Sequence, residues 1–138
     1  MNNIKRTISG LLFVGFATTS SIAEQTNGKP DLTTLLSGQL ERVEDTEFVV
    51  SRVQIPPNKS LPKHWHPGEE FVYVISGRVT LWQEGKQELV FAAGDAGKVP
   101  LEQIHTAMTG DEGVDLVVFR VHEKGKPERI LIERSEGN

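Results

Sequence analysis

In this chain the residue types and spacing that could do chemistry are concentrated in His64-Trp65-His66-Pro67-Gly68-Glu69-Glu70. In an extended strand, residues two apart project from one face, about 6.6 Å apart along the chain, so His64 and His66 can lean toward one ion. Pro67-Gly68 turns the chain, and Glu70 can return from the start of the next strand. Two imidazoles and a carboxylate suit a divalent transition ion that keeps open coordination positions. A third imidazole, His105, follows the turn Pro100-Leu101-Glu102-Gln103 and sits on a late strand that could close over the same spot. The chain has only four histidines. Histidine pairs of this spacing also occur on strand surfaces, so spacing alone leaves both readings open.

The elements that must position these residues read as strands and turns. Glu47 to Ile55 is rich in β-branched residues and stops at Pro56-Pro57. Phe71 to Ile75 is apolar on both faces, as a buried strand would be. Ser76-Gly77 is expected to break it, and Arg78 to Trp82 to resume it. Glu84-Gly85-Lys86 and Gly94-Asp95 are turn signals around a strand at Glu88 to Phe91. Lys98-Val99, Ile104-His105, Val114 to Val121 and Arg129 to Ile132 complete the set. Asp31 to Gln39 reads as either a short strand or a helical turn. Short strands with frequent turns and no helical period from residue 41 onward predict an all-β sandwich or barrel.

Composition limits the function classes. The 138 residues make one domain, with 37% hydrophobic and 25% charged residues, close to an ordinary globular chain. Cysteine is absent, which excludes disulfides, a thiolate zinc site and a cysteine nucleophile. A formal charge of −4 gives no basic surplus for nucleic acid. There is no G-x-S-x-G elbow and no dinucleotide fingerprint, and Gly97-Lys98 is followed by Val99 rather than by the hydroxyl of a phosphate loop.

The first residues read as a targeting segment. Lys5 and Arg6 precede the uncharged apolar run Ile8 to Ala17, and small residues at Ser21 and Ala23 suit cleavage after Ala23. We expect a secretory signal over residues 1–23, a linker or arm over 24–40, and the folded domain over 41–138. The run is shorter than the roughly 20 residues that span a bilayer, so the mature chain is expected to be periplasmic or secreted and free of the membrane.

Two motifs then give a resemblance. His64, His66, Glu70 and Gly77 stand at the spacing of the first motif of the cupin superfamily, and Gly94, Pro100 and His105 are in step with the second. Glu102 replaces the second motif's glycine, and Thr109 its asparagine. The chain therefore resembles a small single-domain cupin over about residues 45–125. The resemblance implies a double-stranded β-helix, or jelly-roll barrel, holding an ion in its mouth. By that carry-over the ligands are His64, His66, Glu70 and His105, and the ion is iron, manganese, nickel or zinc.

It also implies a small-molecule substrate or ligand. Dioxygenase-type chemistry is the reaction named first. The alternatives are a metal-dependent lyase or isomerase, or a barrel that binds a ligand or metal without turnover. Tyr73, the only tyrosine, is the candidate catalytic donor, although its strand face with Phe71 and Ile75 also reads as core packing. Phe119 is assigned to a core face with Val117 and Val121. Arg120 and His122 read as surface residues; only if their face lined the barrel would Arg120 hold a substrate carboxylate. A homodimer is expected, with residues 31–45 a candidate contact.

Overall fold

The computed structural model describes residues 28–133, in which every regular element is a strand. The expected signal segment lies outside the described residues, as do residues 24–27 of the expected arm. The strands are β1 (Asp31–Gln39), β2 (Thr46–Ile55), β3 (His64–Trp65), β4 (Gly68–Gln83), β5 (Leu89–Ala92), β6 (Ala96–Val99), β7 (His105–Met108), β8 (Val114–Glu123) and β9 (Ile130–Leu131). They pair antiparallel in the order β1-β2-β8-β4-β7-β3-β9, with β5 and β6 also on β4. This is the all-β jelly-roll barrel that the motifs imply.

One long strand joins the two faces of the barrel. The first half of β4 pairs with β8 and β6, and the second half with β5 and β7. Ser76-Gly77 does not end the strand, contrary to expectation. The register slips between Val74 and Ser76, which is how a strand turns a barrel corner without losing its ladder. Gly77 lies just beyond the slip at φ 79°, and a Cβ there would collide with the carbonyl of Gly113. The open choice at Asp31 to Gln39 resolves as a strand, because β1 finds a partner along most of its length in β2.

The barrel interior changes character along its axis. At one end Val53, Ile55, Val74, Val79, Val114, Leu116 and Val118 form a buried apolar cluster. Each such side chain contributes about 1.5–3 kcal/mol by leaving water. At the other end the buried residues include His64, His66, Glu70, His105, Arg120 and His122. The change falls at one level in neighbouring strands: Leu116 and Val118 on β8 face Val74 and Val72 on β4, and one step further Arg120 faces Glu70.

The outer side of the same sheet is also apolar, which corrects two sequence assignments. Phe71, Tyr73 and Ile75 are 38%, 52% and 46% exposed, and Phe119 is 36% exposed. Val72 and Val74 point inward instead. The two valines and the outward aromatics make both faces of β4 apolar, so alternation could not tell inside from outside. In β8 the same ambiguity hid that Leu116, Val118, Arg120 and His122 share the interior face.

Candidate metal centre

Three short-range facts bring the imidazoles together. His64 and His105 are direct partners across β3 and β7, with ring centroids 4.3 Å apart. His66 lies just past β3, and its ring centroid is 4.9 Å from His64 and 5.1 Å from His105. One ring nitrogen from each of the three lies within 4.8 Å of the others, and all three residues are buried.

The backbone sets which nitrogen faces inward. Nδ1 of His64 is 2.7 Å from the Pro62 carbonyl, Nδ1 of His105 is 2.8 Å from the Gln103 carbonyl, and Nδ1 of His66 meets the Glu128 carbonyl. A carbonyl only accepts, so in each ring Nδ1 carries the proton and donates. Nε2 is left as a lone pair aimed into the cluster, the tautomer in which a histidine binds a metal. Nε2 of His66 is buried with no hydrogen-bond partner.

Glu70 joins the group from β4. Its Oε2 is 3.1 Å from Nε2 of His66, and its Oε1 is 3.8 Å from Nε2 of His105. An imidazole lone pair and a carboxylate oxygen facing one another at that distance repel unless a proton or a metal ion stands between them. A divalent ion satisfies the three nitrogens and the carboxylate together, so the residues present fit a metal. Nitrogen and carboxylate donors suit transition ions but do not choose among them.

Arg120, read from the sequence as a surface residue, faces the barrel interior, and its link to Glu70 was not foreseen. It is buried on β8 opposite Glu70, and its Nε donates to Oε2 of Glu70 at 2.7 Å. Its Nη1 also donates to the Glu128 carboxylate at 3.4 Å. One oxygen of Glu70 is thereby fixed on the guanidinium and the other turned toward His105. Burial alone would push the Glu70 carboxyl up. The Arg120 guanidinium bonded to it outweighs that and holds Glu70 well below the usual carboxylate range. Glu128 is a second missed residue, serving both His66 and Arg120 from the segment before β9. No local pattern marks it.

The other candidates fall elsewhere. Tyr73 is exposed on the outer face and is not among the residues lining the cavity beside the cluster, so it does not reach the cluster. His122 is buried rather than at the surface, beside Glu47 and outside the three-histidine group. Trp82 carries Lys63 over its ring at 3.9 Å. The two departures from the second motif are absorbed locally. Glu102 adopts the left-handed conformation that the motif's glycine favours, at φ 57°. The Thr109 hydroxyl donates to the Pro56 carbonyl at 2.6 Å and accepts from the Lys59 amide at 3.1 Å, tying down the loop ahead of β3.

The cluster opens onto a cavity of about 50 Å³. His64, Glu70, His105 and Arg120 stand in its wall, and Val53, Val72, Leu81, Val99 and Leu116 supply much of the apolar remainder.

Burial lowers His64 to about 4, against the opposing pull of the Pro62 carbonyl. It lowers His105 as well, against Glu70 and the Gln103 carbonyl. Unfolded imidazoles take up protons near 6.5. The unfolded chain therefore binds more protons below that pH, and the metal-free protein loses stability as pH falls from about 6.5 toward 4. At about 1.4 kcal/mol per pH unit, His64 alone accounts for at most roughly 3 kcal/mol over that window. Urea midpoints measured in chelator at pH 7, 6, 5 and 4.5 should fall steadily; a flat series would mean that these rings are not buried neutral.

Comparison with known proteins completes the picture. Residues 51–120 match the family model described as Cupin domain. No curated protein matches the chain. Among solved structures, the chain is similar to an uncharacterised conserved protein with a double-stranded β-helix domain from Klebsiella pneumoniae. That match has 27% identity and a TM-score of 0.60, and covers 79% of this chain and 89% of that one. The DMSP lyase DddQ from Ruegeria pomeroyi matches at 20% identity and TM-score 0.64, over 87% of this chain and 59% of the lyase. An oxalate oxidase in complex with the substrate analogue glycolate matches at 19% and 0.59, over 78% of this chain and 57% of the oxidase. The chain spans about half the length of the DMSP lyase structures it matches.

Proposed function

The chain belongs to the cupin family, and from that footing we propose that it is a metal-dependent enzyme acting on a small organic molecule, with dioxygenase-type chemistry as its reaction. The observation that carries this reading is a buried four-donor cluster, three of whose members, His64, Glu70 and His105, stand in the wall of a cavity. A purely structural site is closed by its ligands, whereas catalysis needs a position facing a pocket. His64, His66, His105 and Glu70 would hold the ion. Bound there, it would supply Lewis-acid polarisation and, as iron, the redox capacity for oxygen insertion.

The chain's own residues do the rest. The three backbone carbonyls hold each imidazole in its metal-binding tautomer. Arg120 fixes the Glu70 carboxylate, and the apolar wall keeps water from the reacting molecule. The proposed location is the periplasm or the cell exterior, supported by Lys5, Arg6, the apolar run to Ala17 and the small residues at Ser21 and Ala23.

The test is oxygen uptake by full-length protein loaded separately with iron, manganese, nickel or zinc and offered a panel of small acids, phenols and diketones. Uptake with the iron form, lost in His105→Ala, is the expected result. Turnover without oxygen uptake would overturn the dioxygenase reading in favour of a lyase or isomerase. Ligand binding without turnover under any metal would leave a binding barrel.

We further propose that two copies pair through the outer face of the sheet. Phe48, Phe119 and Phe71 form a row there, with centroids 5.9 and 6.3 Å apart, flanked by Tyr73 and Ile75. At about 150–250 Å² per aromatic side chain, the exposed parts come to roughly 300 Å² of apolar surface, a size that often marks a contact. The ion pairs Arg52–Asp115 and Lys98–Glu69 place both charge signs around it, so a two-fold copy can set acid against base. Phe119→Glu should convert a dimer to a folded monomer by light scattering, with circular dichroism unchanged. A monomeric wild type would contradict the pairing.

A further inference from the structure

The cavity beside the histidines adjoins a second one. It shares Leu32, Val53, Leu61 and Arg129 with an outer chamber of about 270 Å³, whose remaining walls are Lys29, Pro30, Asp31 and Pro62. These four shared residues make up the neck where the two adjoin, and Arg129 is the one charged group among them.

The two arginines in the inner cavity differ in what they have left to offer. Arg120 is committed to Glu70 and Glu128 at 2.7 and 3.4 Å. Two of its five N–H donors and much of its charge are thereby taken up, which leaves it less to offer a substrate carboxylate, the role it was given if its face lined the barrel. Arg129 is exposed and makes no ion pair among the described residues. Lys29, across the outer chamber, makes none either. The chamber's one acid, Asp31, accepts a hydrogen bond from the Thr33 hydroxyl at 3.2 Å. The neck therefore offers positive charge to an anion.

A guanidinium presents a planar fork that matches a carboxylate with two parallel hydrogen bonds. Inside the neck the walls are apolar except at the metal cluster. One water needs about 10–15 Å³ of such space, so the inner cavity of about 50 Å³ takes roughly three to five non-hydrogen atoms. From this arrangement we propose that Arg129 is a specificity-determining residue that selects short-chain monocarboxylates. It holds the carboxylate at the neck, with the apolar chain inside toward His64 and His105. This rests on the reading that the barrel takes a small molecule beside the histidine cluster, and it adds the substrate's chemical class and orientation.

The test is calorimetric titration of full-length protein, zinc-loaded and chelator-treated in parallel, with butyrate, butyramide and octanoate. Wild type should bind butyrate at least about tenfold more tightly than butyramide, the difference that a charge-assisted hydrogen bond carries. Octanoate, too long for the inner cavity, should bind more weakly than butyrate. Arg129→Gln should lose that preference for the anion, bind butyramide as wild type does, and keep the wild-type zinc content. No butyrate binding, equal affinity for acid and amide, or an undiminished preference in Arg129→Gln would overturn the proposal. Chelator-treated protein separates the two readings. A preference that needs Arg129 but persists where no metal is taken up would sustain this inference and remove the metal-dependent one. Zinc uptake without the preference would do the reverse.

Discussion

Arg120→Met is expected to destabilise the metal-free protein by about 3–5 kcal/mol, the cost of leaving one member of a buried ion pair without its partner. The orphan is Glu70, buried at 8% exposure and bonded to Arg120 at 2.7 Å. The sign with pH follows from the direction of its shift. Glu70 is held well below the ordinary carboxylate range, so its contribution is present above about pH 4.3 and is lost as pH falls through the depressed folded value. In Arg120→Met the carboxyl returns upward and can be neutralised by a proton. The penalty should therefore be largest at neutral pH and shrink toward pH 4. Adding Glu70→Gln to Arg120→Met should recover most of the loss. Chemical denaturation in chelator at pH 7 and pH 4.5 is the measurement. A penalty of the same size at both, or one that Glu70→Gln does not relieve, would mean that Arg120 acts through packing alone.

Removing the metal should be the second large effect. Three neutral imidazoles and a carboxylate form a preorganised site that the unfolded chain lacks, so binding free energy becomes folding free energy. With free metal at about a thousand times the dissociation constant, the gain is about 4 kcal/mol. At about 4–8 °C per kcal/mol for a domain of this size, chelation should lower the melting temperature by roughly 15–30 °C. His105→Ala should melt near the chelated wild type and gain little from added metal. That loss should exceed the roughly 10–100-fold in affinity expected for an outer partner such as Arg120. Equal melting temperatures with and without chelator would mean that these four side chains do not hold an ion.

How much of this could be read beforehand depended on distance along the chain. His64, His66 and Glu70 lie within seven residues, and strand alternation with one turn suffices to converge them. His105 is far off in sequence, and its place came from the second motif as much as from its turn. Arg120 is a different matter. Its partner lies fifty positions away, and their meeting depends on the register of β4 against β8. No composition signal sets that register, and Val117, Phe119 and Val121 made the wrong face of β8 look internal.

Tyr73 misled for the same reason. A strand with apolar residues on both faces reads as buried on both, yet this one has a barrel interior on one side and an exposed aromatic row on the other. The corner at Ser76-Gly77 reads as a break because the residues that bend a strand are those that stop one. The neck at Arg129 was invisible, since it is assembled from β1, the end of β2, the loop before β3 and the segment before β9.

The central claim is that one transition ion sits among His64, His66, Glu70 and His105. Plasma mass spectrometry on protein purified without chelator or added metal tests it most directly, with the His64→Ala/His66→Ala double variant prepared alongside. The expected result is about one ion of iron, manganese, nickel or zinc per chain in the wild type and almost none in the variant. Little metal in the wild type, or equal metal in both, would contradict it.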